Sequence, residues 1–385
     1  MASSSRSQAL VVGGTGPSGR HIVEGLLSRG YAVTIAHTGS HEVDSWSARV
    51  EHIHVDPFDS VGLSASLDGQ TFDLAFAMYG RLAETARILR GSVGRLVGVG
   101  AFVAYRGIIP TDPRHWPTGP KVPLREFDEL ASPVEGFGGT DRKLAHVVQA
   151  EQAVFDNHPS ATHLRFSLMY GPFHPAPWIE WSIVKRILDK RPAIIVPDGG
   201  LSVRTRAYTR NAADAALLVV DHLDDTAGKV YNVADEWTPT VRQWIEIIAR
   251  ALDYDIEIVE MPWALATPSY PMMFLGDSGH RVTLSDRAIY ELGYRDSVPV
   301  EEALAATVRW LADHQPGPDE PLTRSDPRNY EAEDGLLREW RNAMSTLMPL
   351  ARAADPGFVP RYSGSYQIVH PRRGRWSTLR TPDDQ

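Results

Sequence analysis

Cysteine is absent from all 385 residues, which excludes disulfide scaffolds, thiol nucleophiles and cysteine-ligated zinc. Long apolar runs are missing too, and no stretch approaches the length needed to cross a bilayer. The polar segment Met1 to Gln8 lacks the apolar h-region of a secretory signal, so a cytoplasmic protein with no membrane partner is expected. Excess positive charge is also lacking. The formal net charge of −9 argues against a nucleic-acid partner, because such binding needs a basic face. The one basic cluster, Arg361, Arg372, Arg373, Arg375 and Arg380, is interleaved with Tyr362, Tyr366 and Trp376 and reads as a solvated or subunit-contacting tail. A Gly-x-Ser-x-Gly nucleophile elbow is missing. So is any His-x-x-x-His or acidic spacing suited to a metal: His52 and His54 alternate on a strand and read as flanking the core, so no metal is expected.

What the chain does carry is Val11-Val12-Gly13-Gly14-Thr15-Gly16-Pro17-Ser18-Gly19, set between an apolar run from Ala9 and an amphipathic run from Arg20 to Arg29. Strand, glycine-dense turn and helix in that order form a phosphate cradle. Glycines let the backbone approach a pyrophosphate while the helix N-terminus faces the anion. The candidate dinucleotide ligands there are Gly13, Thr15, Gly16, Pro17, Ser18 and Gly19.

Further along, Tyr31 to Ala36, Glu51 to Val55, Phe72 to Ala77 and Arg95 to Val99 read as strands, with a helix from Arg81 to Arg90. Strands alternating with helices imply βαβ units and a parallel sheet. Tyr105 to Pro133 is long and proline-rich, as loops over a site often are. A helix from Thr140 to Asn157 and a strand at Thr162 to Phe166 follow. Then come helices at Ile179 to Asp189, Ala212 to His222, Val241 to Leu252 and Val300 to His314, with extended stretches at Ala193 to Val196, Lys229 to Val233 and Ile256 to Glu260. Beyond Gln315 one helix is predicted, from Tyr330 to Met344. The tail reads as an extension that wraps the core or a second subunit, or as a disordered segment.

Several motifs in register resemble the extended short-chain dehydrogenase/reductase superfamily, the NAD-dependent epimerase/dehydratase family. They are Gly13 to Gly19, Asp56-Pro57, Leu164-Arg165 with Tyr170-Gly171-Pro172, Gly228 to Val233 followed by Ala234-Asp235, and Leu292-Gly293-Tyr294 with Thr307 to Leu311. The resemblance covers about residues 8 to 314. It implies an α/β fold: a Rossmann-like doubly wound parallel sheet with a smaller C-terminal substrate-binding lobe. Residues 1–172, completed by roughly 205–235, would bind NAD(P); 173–314 would be mainly the substrate lobe, and 315–385 an extension. It also implies that Asp56 lies near the adenine, that Ala77 to Tyr79 line the groove, and that Gly100 approaches the nicotinamide ribose.

NAD-selective sites place an acid at the end of the second strand, about 20 residues past the glycines, to hold the ribose 2′-OH. Here that end reads Ala36-His37-Thr38-Gly39-Ser40, with Glu42 and Asp44 beyond a turn. No acid waits there, so NADP(H) is favoured over NAD(H), with His37, Thr38 and Ser40 as hydrogen-bonding groups. His37 also reads as a plain surface histidine.

The resembling family pairs a Tyr with a Lys four residues later on the helix after the fifth strand, plus a Ser or Thr at that strand's end. On a helix, i and i+4 share a face, so the lysine can lower the tyrosine pKa. Here the strand ends in Gly100-Ala101, and if Lys143 is the lysine, the tyrosine position is Gly139. No alternative register supplies a Tyr. Tyr105, in the loop after the strand, and Lys143 are the candidate catalytic residues. Tyr79 and Tyr170 read rather as packing or cofactor-lining positions, and His146, His115 and Asp141 are further titratable candidates that each read more readily as surface or structural than as catalytic.

Phe173, Trp178, Trp181, Trp263, Tyr270, Met272, Met273 and Phe274 fall in the segments expected to cover the site. They fit an apolar or aromatic small-molecule substrate, or equally lobe packing or a homodimer contact. Arg204 and Arg206 are candidate anchors for an anionic group. Hydride chemistry on a small, fairly apolar substrate with a non-standard proton donor is the expected function. A nucleotide-responsive binding or regulatory protein, or a non-redox lyase or cyclase, is the alternative.

Overall fold

The computed structural model describes residues 6–40, 42–43, 46, 48–78, 81–108, 120–131, 140–273, 287–324, 326 and 328–356, with only the backbone of 140–145 and 287. In chain order it opens with β1 (Gln8–Val12), α1 (Gly19–Ser28), β2 (Ala32–His37), β3 (Val50–His54), α2 (Ser60–Leu67), β4 (Phe72–Ala77), α3 (Leu82–Ile88) and β5 (Val93–Ala101). Next are α4 (Thr140–Asn157), β6 (Thr162–Phe166), β7 (Leu168–Tyr170), α5 (Trp178–Leu188), β8 (Ala193–Pro197), β9 (Arg206–Tyr208), α6 (Thr209–Asp221) and β10 (Val230–Val233). The remainder is α7 (Val241–Ala251), β11 (Glu257–Met261), α8 (Arg287–Glu291), α9 (Val300–Asp313), α10 (Pro321–Arg324) and α11 (Tyr330–Ala353).

Seven strands form one sheet in the order β10-β6-β5-β4-β1-β2-β3, every neighbour parallel. The apolar run of β1 is explained by its central place, buried on both faces. Ala9 and Val11 pack with Ile22, Val23 and Leu26 of α1 and the alanine-rich α6 on one face. Leu10 and Val12 pack on the other with Leu63, Leu67, Ala86, Leu89 and Val154 from α2, α3 and α4. This is the doubly wound α/β architecture. Its strand order reverses between β1 and β4, the crevice where open α/β sheets bind ligands.

A second core joins α5, α7 and α9 through Ile183, Val184, Ile187, Ile245, Ile248, Leu304 and Val308. The lobe adds two short parallel pairs, β8 with β11 and β7 with β9. Helix α7 begins with a capping box, Thr240 Oγ1 accepting from the Gln243 N–H and Gln243 Oε1 from the Thr240 N–H.

The chain divides into compact units at Met1–Pro327 and Arg328–Gln385. Part of the stretch expected to be an extension therefore belongs to the first unit: Leu322 sits in the lobe core, and Asp326 accepts from Ser182 Oγ at 2.6 Å and Arg186 Nη1 at 3.0 Å. In the second unit α11 runs past the expected end at Met344 to Ala353. Pro349 removes one amide donor without ending the helix.

A methyl group on Gly19 would lie 2.7 Å from the Gly14 carbonyl oxygen and 2.9 Å from that of Gly13, backbone that cannot swing aside. Gly19→Ala is expected to cost about 1–3 kcal/mol, read as a lowered urea midpoint.

Candidate active site

The turn from β1 to α1 sits at the crevice. Gly13 has a φ of +87°, and its N–H donates to the Ala36 carbonyl at 3.0 Å, tying the turn to β2. The Gly16 N–H donates to the Gly13 carbonyl at 3.3 Å. Pro17 and the buried Ser18 lead into α1, whose first turn holds no acidic residue and whose Ser18 makes no side-chain cap. The positive end of the helix thus faces the turn unopposed. Arg20 Nε donates to the Thr15 carbonyl at 3.1 Å, and its guanidinium lies 4.2 Å above the Phe173 ring. Arg20 brings a cation to the mouth of the turn, which its place in an amphipathic run did not single out.

Ala77 ends β4, buried, in register with Val12 and Gly98. Tyr79 lies outside the described residues. Asp56 is exposed and accepts the Phe58 N–H at 2.9 Å. Thr38 is exposed, its Oγ1 donating to Ser40 Oγ at 3.0 Å.

His37 turns inward instead of lying at the surface, 3 % exposed, and burial lowers its pKa. Glu42 returns over the strand end. Its carboxylate stands 3.9 Å from His37 Nε2 and 3.0 Å from His54 Nε2. A carboxylate therefore does reach the end of β2, through the loop rather than the strand.

At the end of β5 the glycines serve a different purpose. Gly98 and Gly100 are in register with His163 and Arg165 of β6, on one sheet face. A Cβ on Gly100 would meet His163 Nε2 at 2.5 Å, so the imidazole occupies the space that a side chain at this strand end would need. Arg165 donates both Nε and Nη2 to Glu151 of α4, at 2.8 and 2.6 Å, and Nη1 to Tyr105 Oη at 2.7 Å. Tyr105 in turn donates to Asn232 Oδ1 of β10 at 2.7 Å. All four residues are buried. Burial pushes the Tyr105 hydroxyl up to about 12 and His163 down to about 4. Tyr105 is thus held in a closed polar chain beneath the strand ends, its hydroxyl committed at both valences. Lys143 is placed in the first turn of α4, its side chain outside the described residues.

In the lobe, Trp181, Met272 and Met273 are buried, at 1 %, 3 % and 2 % exposure, and Trp178 packs against the lobe core. Trp263 and Tyr270 stack on each other at 5.1 Å; Phe274 lies outside the described residues. Most of this aromatic and methionine content is lobe packing. Arg206 is spent on Glu180 at 2.7 Å, and Trp244 Nε1 donates to the same carboxylate at 3.1 Å. Tyr170 is buried too and donates to Asp235, whose pKa burial and then Asp296 raise to about 7.

Two measurements check this site. Tyr105→Phe removes one of the two acceptors of Arg165 Nη1 and the hydroxyl donor of Asn232 Oδ1 and is expected to cost about 1–3 kcal/mol; a rate loss with unchanged stability would instead make the hydroxyl a proton donor. His163 has a folded pKa below the ordinary 6.5, so as pH falls the unfolded chain takes the proton first. Stability is expected to be full above pH 6.5 and to fall toward about 4. His163→Gln should flatten that part of the denaturation profile.

The model of the family described as "NAD dependent epimerase/dehydratase family" matches residues 116–234. The "Uncharacterized protein YbjS" of Escherichia coli (strain K12) is 26 % identical over 141 residues, 32 % of this chain and 42 % of its own length. The "Probable GDP-L-fucose synthase 1" of Oryza sativa subsp. japonica is 20 % identical over 234 residues, 58 % of this chain and 64 % of its own. In both cases the match spans less than two thirds of the relative. The dTDP-glucose 4,6-dehydratase of Bacillus anthracis, solved in complex with NAD, superposes with a TM-score of 0.58 at 17 % identity, covering 80 % of this chain and 97 % of that one. The matched stretch, less than half of the chain, runs through α4, β6 and β10 on the side of the sheet opposite β2 and β3; over it this chain is similar to the NAD-dependent epimerase/dehydratase family, and the likeness to the dehydratase structure is one of fold.

Proposed function

We propose that this chain is an NAD(P)-dependent enzyme performing hydride chemistry of the epimerase/dehydratase type on a small molecule. The observation that carries this is the position of Gly13 to Gly19, at the reversal of strand order and directly under the N-terminus of α1. Support for a dinucleotide in the groove is electrostatic: the first turn of α1 carries no acidic residue, and Arg20 supplies positive charge at the mouth. Gly13, Thr15, Gly16, Pro17, Ser18 and Gly19 would hold the pyrophosphate, Ala77 and Gly100 would line the groove, and Asp56 would face the adenine end. When bound, the nicotinamide supplies hydride transfer; the chain's own residues bind, orient and move the proton.

Lys143 is the proposed proton-transfer residue, on the helix that follows β5. Tyr105 acts through Arg165 and Asn232 as a positioning residue. The expected preference for NADP(H) rested on the missing acid at the end of β2. With Glu42 at that edge, the structural support for it is gone, and the nucleotide bound in the similar dehydratase structure is NAD. The burial of Trp181, Met272 and Met273 also removes the main support for an apolar substrate. The similar proteins whose titles name an activity act on sugar nucleotides, and a sugar nucleotide is the substrate class we propose.

One observation favours a second reading, a nucleotide-responsive binding protein: His163 occupies the space that a catalytic side chain at the end of β5 would need. Titration of NADH and NADPH, followed by tryptophan quenching and melting temperature, is expected to show saturable binding that Gly19→Ala abolishes. Failure of both nucleotides to bind would end both readings. Binding without turnover across a panel of sugar nucleotides would favour the second.

A further inference from the structure

Three histidines converge at the carboxyl ends of β2 and β3, one strand over from the glycine turn. Strands β2 and β3 run in parallel register with His37 opposite His54 and Ile35 opposite His52, and the period-2 alternation of β3 puts His52 and His54 on one face. Their rings stand 5.0 to 5.9 Å apart, all tilted edgewise rather than stacked. Glu42 closes the group from the loop. His37 Nε2 lies 3.0 Å from His52 Nδ1, His54 Nε2 3.0 Å from Glu42 Oε1, and His52 Nδ1 3.3 Å from Glu42 Oε2. One donor atom from each of the four residues lies within 4.8 Å of the other three. Four ligands bound at about 2.0–2.1 Å to a tetrahedral ion stand about 3.3 Å from one another, a spacing these distances bracket.

His37 Nδ1 accepts from the Gly39 N–H at 3.3 Å, a long contact that leaves Nε2 turned toward His52 Nδ1.

We propose that His37, His52, His54 and Glu42 form a binding site for a divalent transition-metal ion, zinc by the chemistry of its ligands. Three imidazoles and one carboxylate are the nitrogen-rich set that borderline ions prefer over magnesium or calcium. All four positions come from the protein, so the ion holds the β2–β3 loop against the sheet edge rather than activating a water. Coordination through His37 Nε2 moves that ring's proton to Nδ1 and gives up the long contact from Gly39. The outer ligands His54 and Glu42, with side chains 59 % and 44 % exposed, give the ion its path in.

The test uses the full chain without an affinity tag, stripped with chelator and titrated with cobalt and then zinc. The expected result is one cobalt ion per chain with intense visible bands of tetrahedral geometry. With no cysteine in the chain, no thiolate charge-transfer band accompanies them. Zinc should bleach the bands and raise the melting temperature. Glu42→Gln and His54→Gln, both at exposed positions, should each weaken cobalt binding by more than the 10- to 100-fold that loss of an outer-shell partner costs. Pale absorption of octahedral cobalt, or bands and affinity unchanged in a His52→Ala/His54→Ala double variant, overturns the assignment.

Discussion

The close approach of α1 to β1 is the constraint on which this molecule depends. A β-carbon on Gly19 would run into the backbone of Gly13 and Gly14, and one on Gly14 into the side chains of Ile35 and Val23, so the helix begins almost on top of the strand end. Such proximity aims the amides and the positive end of α1 at the crevice between β1 and β4. It also sets the depth at which Ile22, Val23 and Leu26 enter the core. The same glycines that would serve a ligand are therefore required by packing, and the site and the core cannot be altered independently.

A second constraint lies at the other end of the sheet. Glu151 and Arg165 bury a charge pair between α4 and β6, and that is tolerable only because Tyr105, Asn232 and the Glu126 carbonyl satisfy what remains. Networks of this kind are costly when half complete and rigid when whole. Its members come from the strand ends of β6 and β10, from α4 and from the loop after β5, so it fixes the floor beneath the expected nicotinamide end of the groove. Gly98 and Gly100 keep that face open for His163 and Arg165. A side chain at Gly100 is excluded sterically, since its Cβ would meet His163 Nε2 at 2.5 Å.

Local pattern is enough to find what depends on local pattern. The period of apolar residues in β1, the amphipathic pattern of α7 and the glycine turn are properties of adjacent residues, and each appears in the fold close to where it was expected. Weakly patterned elements escaped: the short strands β7 and β9 are three residues each, too brief for alternation to register, and α2 lacks an amphipathic face that would mark it out. The end of α11 escaped because Pro349 is a strong stop signal that a last turn can absorb.

The sequence by itself determined the doubly wound sheet and the place of the glycine turn between β1 and α1, because those follow from short-range order repeated along the chain. Only the tertiary structure decided the fate of individual polar groups. Tyr105 and Arg165 are 60 residues apart in sequence, and His37 meets Glu42 and two histidines of another strand. Side chains that join through strand register and loop return carry no signature in their spacing. Whether a tyrosine is a free acid or a buried strut, or a histidine a surface residue or a ligand, depends on which distant groups the fold sets beside it.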